Sequence, residues 1–334
     1  MISMLAIGIA AVFSMGPVLG IEDNHFTIDT KPTFLLGISY YGALAIEDER
    51  VVKDDLATMR AHGFNWIRVW ATWNGFENNV SATTAEGEPR EPYLARLLRL
   101  CQLAGEHGIM VDVTLTRGDG PDYPSTQAEH MGMIRTLAKA LVPYRNVYID
   151  VANERNVGDA RYVSSMEVAE LIAAIKAIDP NRICTASHGG EMSDEEITKY
   201  ITVGHVDILT PHRPRDADSP NHTTGETQRY LNIAKQSRAL PIHYQEPFRR
   251  GYDSWQPNAK DFQTDLEAAM ASGAAGWCFH NGSVRSGNPD ETGRPRRSFD
   301  LRPGEGRLFT QFDPEEQAFL KSLKASELAT PIVP

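Results

Sequence analysis

Cysteine is scarce in this chain, with three in 334 residues: Cys101, Cys184 and Cys278. None belongs to a C-x-x-C pair, which argues against a structural zinc site. Each stands in an apolar run, the setting of a buried free thiol rather than a disulfide, and no nucleophile signature surrounds any of them. The ten histidines are scattered singly and no H-x-H pair occurs, so the usual early ligands of a zinc-dependent barrel hydrolase are missing and no metal is expected. Basic residues are short as well: 33 Lys and Arg stand against 44 Asp and Glu, a formal charge of −11. Nucleic-acid binding depends on basic surface, so nucleic acid is not an expected partner. The phosphate-binding G-x-G-x-x-G turn is absent too. GISYYGAL, residues 37–44, lacks that spacing, which counts against a nucleotide-dependent open sheet. No linker or low-complexity run divides the chain, so a single large domain is expected.

The first twenty residues, MISMLAIGIAAVFSMGPVLG, are apolar and carry no charged side chain. The apolar core is short for a membrane span and ends in small residues, as a signal peptide does, although a basic n-region is missing. A secreted or periplasmic protein is expected, with an uncleaved N-terminal anchor as the alternative and no stable membrane insertion otherwise. Oligomeric state is not legible.

Past residue 25, apolar runs alternate with helical spacings. FTIDTKPTFL reads as a hairpin turning at Thr30 and Lys31, and it feeds a strand over residues 34–40. In EDERVVKDDLATMRAHGF, Val52, Leu56 and Met59 share one helical face, and Gly63 stands where the glycine after a helix end belongs. NWIRVW is the next strand. The unit then recurs, and AHGFNWIRV and EHGIMVDVT repeat the same helix end, His-Gly stop and strand. NVYIDVAN, NRICTAS, HVDILT, LPIHYQE and AAGWCFH complete the strands, each preceded by a helical segment. Strands without polar alternation, separated by helices, imply a parallel sheet covered on both faces. Eight such units imply an α/β fold of the single (β/α)8 TIM barrel type over residues 25–330, after a short N-terminal hairpin. An open doubly wound sheet is the alternative. The polar segment at residues 282–306 reads as one long loop over the barrel mouth.

In such a barrel, chemistry sits where strands end. Those ends offer Ser39, Tyr40 and Tyr41; Arg68, Trp70 and Trp73; Asp112, Thr114, Thr116 and Arg117; Asn153 and Glu154; Ser187 and His188; His212 and Arg213; Tyr244 and Glu246; and Trp277, His280 and Asn281. Two carboxylates, Glu154 on strand four and Glu246 on strand seven, therefore stand on opposite sides of one mouth. Hydrolysis of a glycosidic bond needs two carboxyl groups in different protonation states, one to protonate the leaving oxygen and one to support the anomeric carbon. Aromatic rings suit the C–H faces of a sugar. Arginine and histidine suit its hydroxyls, or hold the carboxylates in their roles.

The arrangement resembles clan A of the glycoside hydrolases, the cellulase-like (β/α)8 retaining enzymes. The resemblance rests on ANE, Ala152 to Glu154, after strand four and on YQEP, Tyr244 to Pro247, after strand seven. IRVW with Arg68 adds to it, as does the entry FTIDTKPTFLLGISYY, where Thr30 stands in place of a frequent glycine. It implies a retaining glycosidase acting on a β-linked carbohydrate by double displacement, with Glu154 as acid/base and Glu246 as nucleophile. It also implies that Asn153 binds the sugar 2-hydroxyl, that Arg68 keeps Glu246 ionised while Glu154 stays protonated, and that no cofactor is required. His212, Tyr244 and His280 are the further supporting residues, and Tyr40, Trp73 and Trp277 the expected sugar platforms. Three departures leave the sugar open: VTLTRG carries no histidine at strand three, Pro214 stands where a strand-six tyrosine is expected, and Trp277 falls early in strand eight. The alternative reading is a catalytically inactive carbohydrate-binding barrel, and blander still, the two glutamates as rim partners of Arg68 and Arg155.

Overall fold

The computed structural model describes residues 16–75, 78–118, 120–158, 161–252, 254–281 and 299–323. Most of the apolar leader and most of the expected mouth loop lie outside them. Leu19 and Gly20, the end of that leader segment, are strand residues: Leu19–Glu22 pairs antiparallel with His25–Ile28, which pairs in turn with Lys31–Pro32. The hairpin turns at Asp29 and Thr30, one residue earlier than the sequence pattern indicates. Both sit in the left-handed region, φ 51° and 66°, as a two-residue turn with φ > 0 at both central positions requires. That conformation explains why glycine suits position 30.

Eight parallel strands form the barrel: β1 Leu35–Ser39, β2 Trp66–Trp70, β3 Met110–Thr114, β4 Val147–Asp150, β5 Cys184–Thr185, β6 Pro211–His212, β7 His243–Tyr244 and β8 Gly276–Phe279. Seven of them pair in the order β5-β4-β3-β2-β1-β8-β7. β6 closes the ring, pairing through its Pro211 with His188 beyond β5, while Leu209 bridges Ile242 before β7. The alternating helices are α1 Glu49–Ala61, α2 Tyr93–Glu106, α3 Gln127–Leu141, α4 Ser165–Ile178, α5 Asp194–Thr202, α6 Ser219–Lys235, α7 Ala259–Ser272 and α8 Pro314–Ser322. Among the described residues no helix is long and apolar enough to cross a membrane.

Local chemistry sets the helix ends. Thr126, Asn258 and Asp313 cap α3, α7 and α8 in reciprocal capping boxes with Glu129, Asp261 and Glu316. The repeated His-Gly stop has a concrete basis. His62 Nδ1 contacts the Thr58 carbonyl at 2.9 Å and His107 Nδ1 the Leu103 carbonyl at 2.8 Å, and Gly63 and Gly108 follow at φ 87° and 69°.

Successive strand residues alternate between the barrel axis and the helix layer. Inward, Trp66 meets His243 at 4.4 Å and Phe26 of the hairpin meets His243 at 5.4 Å, which plugs the lower end. Outward, Val111, Val113, Ile149 and Val151 join the core beneath the helices. The three cysteines are buried and free. The inward residues above the Trp66 layer carry the polar groups.

Candidate active site

Register places Ser39, Arg68, Asp112 and Tyr148 in one row across β1 to β4. Arg68 is wholly buried there. Its Nε lies 3.0 Å from Thr114 Oγ1 and 3.2 Å from Asp112, and its Nη2 donates to Asp150 at 2.9 Å and to the Asn153 side-chain oxygen at 3.0 Å. Its Nη1 donates to Glu246 Oε1. One guanidinium thus links three carboxylates, a geometry that its planar fork of donors permits and a lysine ammonium does not. Burial, partly offset by Arg68, pushes the Asp112 carboxyl up to about 8. Gln245 and Tyr148 donate to that carboxyl at 2.6 and 3.1 Å.

β4 ends at Asp150, and Asn153 and Glu154 lie in the turn beyond it. Glu154 has φ 45°, a conformation uncommon away from glycine, and its surroundings hold it. The Glu154 amide donates to Ser187 Oγ at 2.9 Å, and Arg117 Nε donates to both the Asn153 and Glu154 carbonyls at 2.9 Å. Arg68 and Ser187 occupy the Asn153 side-chain oxygen. The donor end of that amide is the one a ligand can use.

The carboxylates of Glu154 and Glu246 converge with His212 Nδ1, one ligand atom from each lying within 4.8 Å of the others. His212 Nδ1 is 3.1 Å from Glu154 Oε1 and 3.6 Å from Glu246 Oε2. Tyr41 Oη donates to Glu246 Oε1 at 2.7 Å, and His280 Nε2 stands 3.5 Å from Oε2. Arg215 reaches both acids, 2.9 Å from Glu246 Oε2 and 3.7 Å from Glu154 Oε1. The three convergent side chains have the donor set of a metal site, but a cation among them would face the Arg215 guanidinium.

These neighbours set the protonation. Burial works against ionising Glu246, and His212, Arg68 and Arg215 together outweigh it, holding the carboxyl far below the usual range. Burial opposes the charge on Glu154 as well, yet His212, Arg215 and Arg68 pull it down to about 2. The unliganded surroundings of Glu154 therefore favour its anion, whereas the acid role expected of it needs the proton.

The cleft over these acids has a volume of about 330 Å³, at the small end for a ligand site. Trp70, Trp73, Tyr41, Tyr123, Tyr252, Arg249 and His280 are among its walls. Of the residues singled out from sequence, Arg68, Asn153, Glu154, His212, Glu246, Trp73 and His280 come together here. Tyr40, Tyr244 and Trp277 do not. Tyr40 Oη donates to Asp55 of α1, Tyr244 Oη contacts Thr227 of α6 at 2.6 Å, and the Trp277 indole donates to Asp265 of α7 at 2.6 Å. Alternation turns all three into the helix layer, so they cannot serve as sugar platforms or supports. The same rule would have selected Tyr41, which shares the inward parity of Ser39. Arg213 also turns outward, bonding Thr223 and the Ser219 carbonyl, and Arg155 pairs with Glu196 rather than with either acid. Arg215, Arg249 and Tyr252 lie in loops with no periodicity, where no local signal marked them.

Residues 28–239 match the family model of the cellulases, glycosyl hydrolase family 5. A search of curated proteins found no match. Among solved structures, a glycoside hydrolase family 5 protein from Bacteroides vulgatus superposes with a TM-score of 0.64 at 16% identity, over 86% of this chain and 67% of that one. The endo-1,4-β-D-mannanase of Thermotoga petrophila gives 0.61 at 16% identity, over 86% and 98%. A family 5 mannosidase from Rhizomucor miehei, crystallised with mannosyl-fructose, gives 0.61 at 14% identity, over 96% and 100%. At such identities the superpositions speak for the fold alone.

Proposed function

This chain belongs to glycosyl hydrolase family 5, and on that premise we propose that it cleaves a β-linked glycan by double displacement with retention of configuration. Glu246 is the nucleophile in this reading and Glu154 the acid/base. The single observation that carries it is the convergence of the two carboxylates across one cleft, an oxygen of one lying within 4.8 Å of an oxygen of the other. Retaining chemistry needs about 5–5.5 Å, whereas an inverting pair stands about 6.5–9.5 Å apart to admit a water. The spacing supports the hydrolytic reading over the inactive, sugar-binding alternative.

Glu246 keeps its charge through Arg68 and Tyr41 on Oε1, so Oε2 is the oxygen that attacks the anomeric carbon. Glu154 gives its proton to the leaving oxygen and later takes one from the water that releases the sugar. It must acquire that first proton on forming the complex, since the unliganded site holds it ionised. Asn153 donates its amide N–H to the sugar 2-hydroxyl, a contact that strengthens in the transition state. Trp73 and Trp70 offer rings to the sugar faces. The reading includes export of the protein, and it requires no cofactor.

The test uses Glu246→Gln, Glu154→Gln and the smaller Glu246→Gly on aryl β-glycosides. Both glutamine variants are expected to lose roughly 10³-fold or more in kcat. Azide is expected to rescue Glu246→Gly with formation of the α-glycosyl azide, because the anion attacks from the vacated side. Wild-type rates in Glu246→Gln, or a product of inverted configuration, overturn the assignment.

A further inference from the structure

Arg215 stands where the reaction has to occur. Its Nη2 lies 2.9 Å from Glu246 Oε2, the oxygen left free by Arg68 and Tyr41, and 3.7 Å from Glu154 Oε1. A sugar whose anomeric carbon meets Oε2 must displace this guanidinium. A neutral sugar would strip Arg215 from its carboxylate partner and offer no charge in return. The neighbourhood shows where the displaced cation goes. Arg215 and Arg249 both pack on the ring of Tyr252, with guanidinium carbons 4.1 and 4.6 Å from its centroid. Arg249 is 2% exposed and lines the same cleft. Two guanidiniums on one ring, in a chain of net charge −11, form a local site for an anion. Arg117, the third arginine of the cleft, is engaged with the Asn153 and Glu154 carbonyls and does not share this role.

We propose that the glycan unit bound in this cleft carries a carboxylate, a hexuronosyl residue, which Arg215 and Arg249 bind across Tyr252. The carboxylate draws Arg215 off Glu246 Oε2, which exposes the nucleophile. It also removes a cation from beside Glu154, which allows that residue to take up its proton. The electrostatics agree: burial, and then the charge of Arg215, pull Arg249 down to about 9, a cost that a bound anion offsets. The proposal deepens the hydrolase reading, on which its catalytic consequence rests.

Two measurements test it. Hydrolysis of matched 4-nitrophenyl β-glycosides, β-glucuronide against β-glucoside, is expected to favour the uronide at least tenfold in kcat/KM. Arg249→Gln and Arg215→Gln should each cut that preference about tenfold, the scale of a lost charge-assisted contact. Arg215→Lys, which keeps charge and volume, guards against a folding artefact and should fall between wild type and Arg215→Gln. Independently, calorimetric titration of the full chain with D-glucuronate and with D-glucose is expected to show the acid binding at least tenfold tighter, with the advantage shrinking in 0.5 M salt. Equal or tighter binding of glucose, or faster cleavage of the glucoside, overturns the proposal. Tight glucuronate binding with no hydrolysis above the Glu246→Gln background would instead keep the carboxylate site and remove the hydrolase reading.

Discussion

Arg68 carries more of this site than its place on β2 announces. It is fully buried and faces Asp112, Asp150 and Glu246 at once, so removing it leaves buried acids without their cation. Arg68→Met is expected to cost about 3–5 kcal/mol in urea unfolding, the range for breaking a buried ion network from one side. A loss below about 1 kcal/mol would mean the acids are neutral without it. Tyr41 acts on the same oxygen of Glu246 by a single hydrogen bond at 2.7 Å. A donor to the ionised form lowers a carboxyl pKa, so Tyr41→Phe should raise that of Glu246 and move the acidic limb of the kcat/KM profile to higher pH. An unmoved limb would assign the tyrosine to packing alone.

Elements decide which residue reaches the cleft. Tyr40 and Tyr41 are adjacent and chemically alike, and only alternation about β1 separates a bond to α1 from a bond to Glu246. The pattern of apolar runs identified the strands but not which parity faced inward, because a barrel strand is apolar on both sides. One inward position lower, Gly37 makes room for a neighbour: a Cβ there would lie 1.7 Å from the Trp66 ring. Gly37→Ala should therefore force Trp66 out of its rotamer and destabilise the chain by about 1–3 kcal/mol, seen as a lower urea midpoint with far-UV circular dichroism retained. A midpoint equal to wild type would show that Trp66 has slack against His243. The His-Gly stops lie at the legible end of the scale, since a helix end and its glycine are local chemistry.

At the scale of the whole molecule, the mouth stores electrostatic work that depends on pH. Glu154 is held at about 2, below its ordinary 4.5, and Glu246 is depressed as well. Between those limits the unfolded chain binds more protons than the native one. The stabilisation is present above about pH 4.5 and is lost as pH falls toward 2. Melting temperatures at pH 7, 4 and 3 should drop less steeply for Glu154→Gln than for wild type. Parallel curves would remove the carboxylate from the acid transition.

The order of strands and helices, the hairpin ahead of them and the strand ends bearing Asn153, Glu154 and Glu246 were readable in the chain alone. Each rests on neighbours in sequence: periodicity, caps, glycine stops and short runs of polar residues. What waited for the tertiary structure was everything set by contact between distant loops. Arg215 bridges two acids 61 and 31 residues away, Tyr252 carries two arginines on its ring, and Glu154 is drawn to its anion. A pKa and a specificity pocket are sums over charges in space. The closed barrel brings those charges within about a Debye length of one another, whatever their separation along the chain.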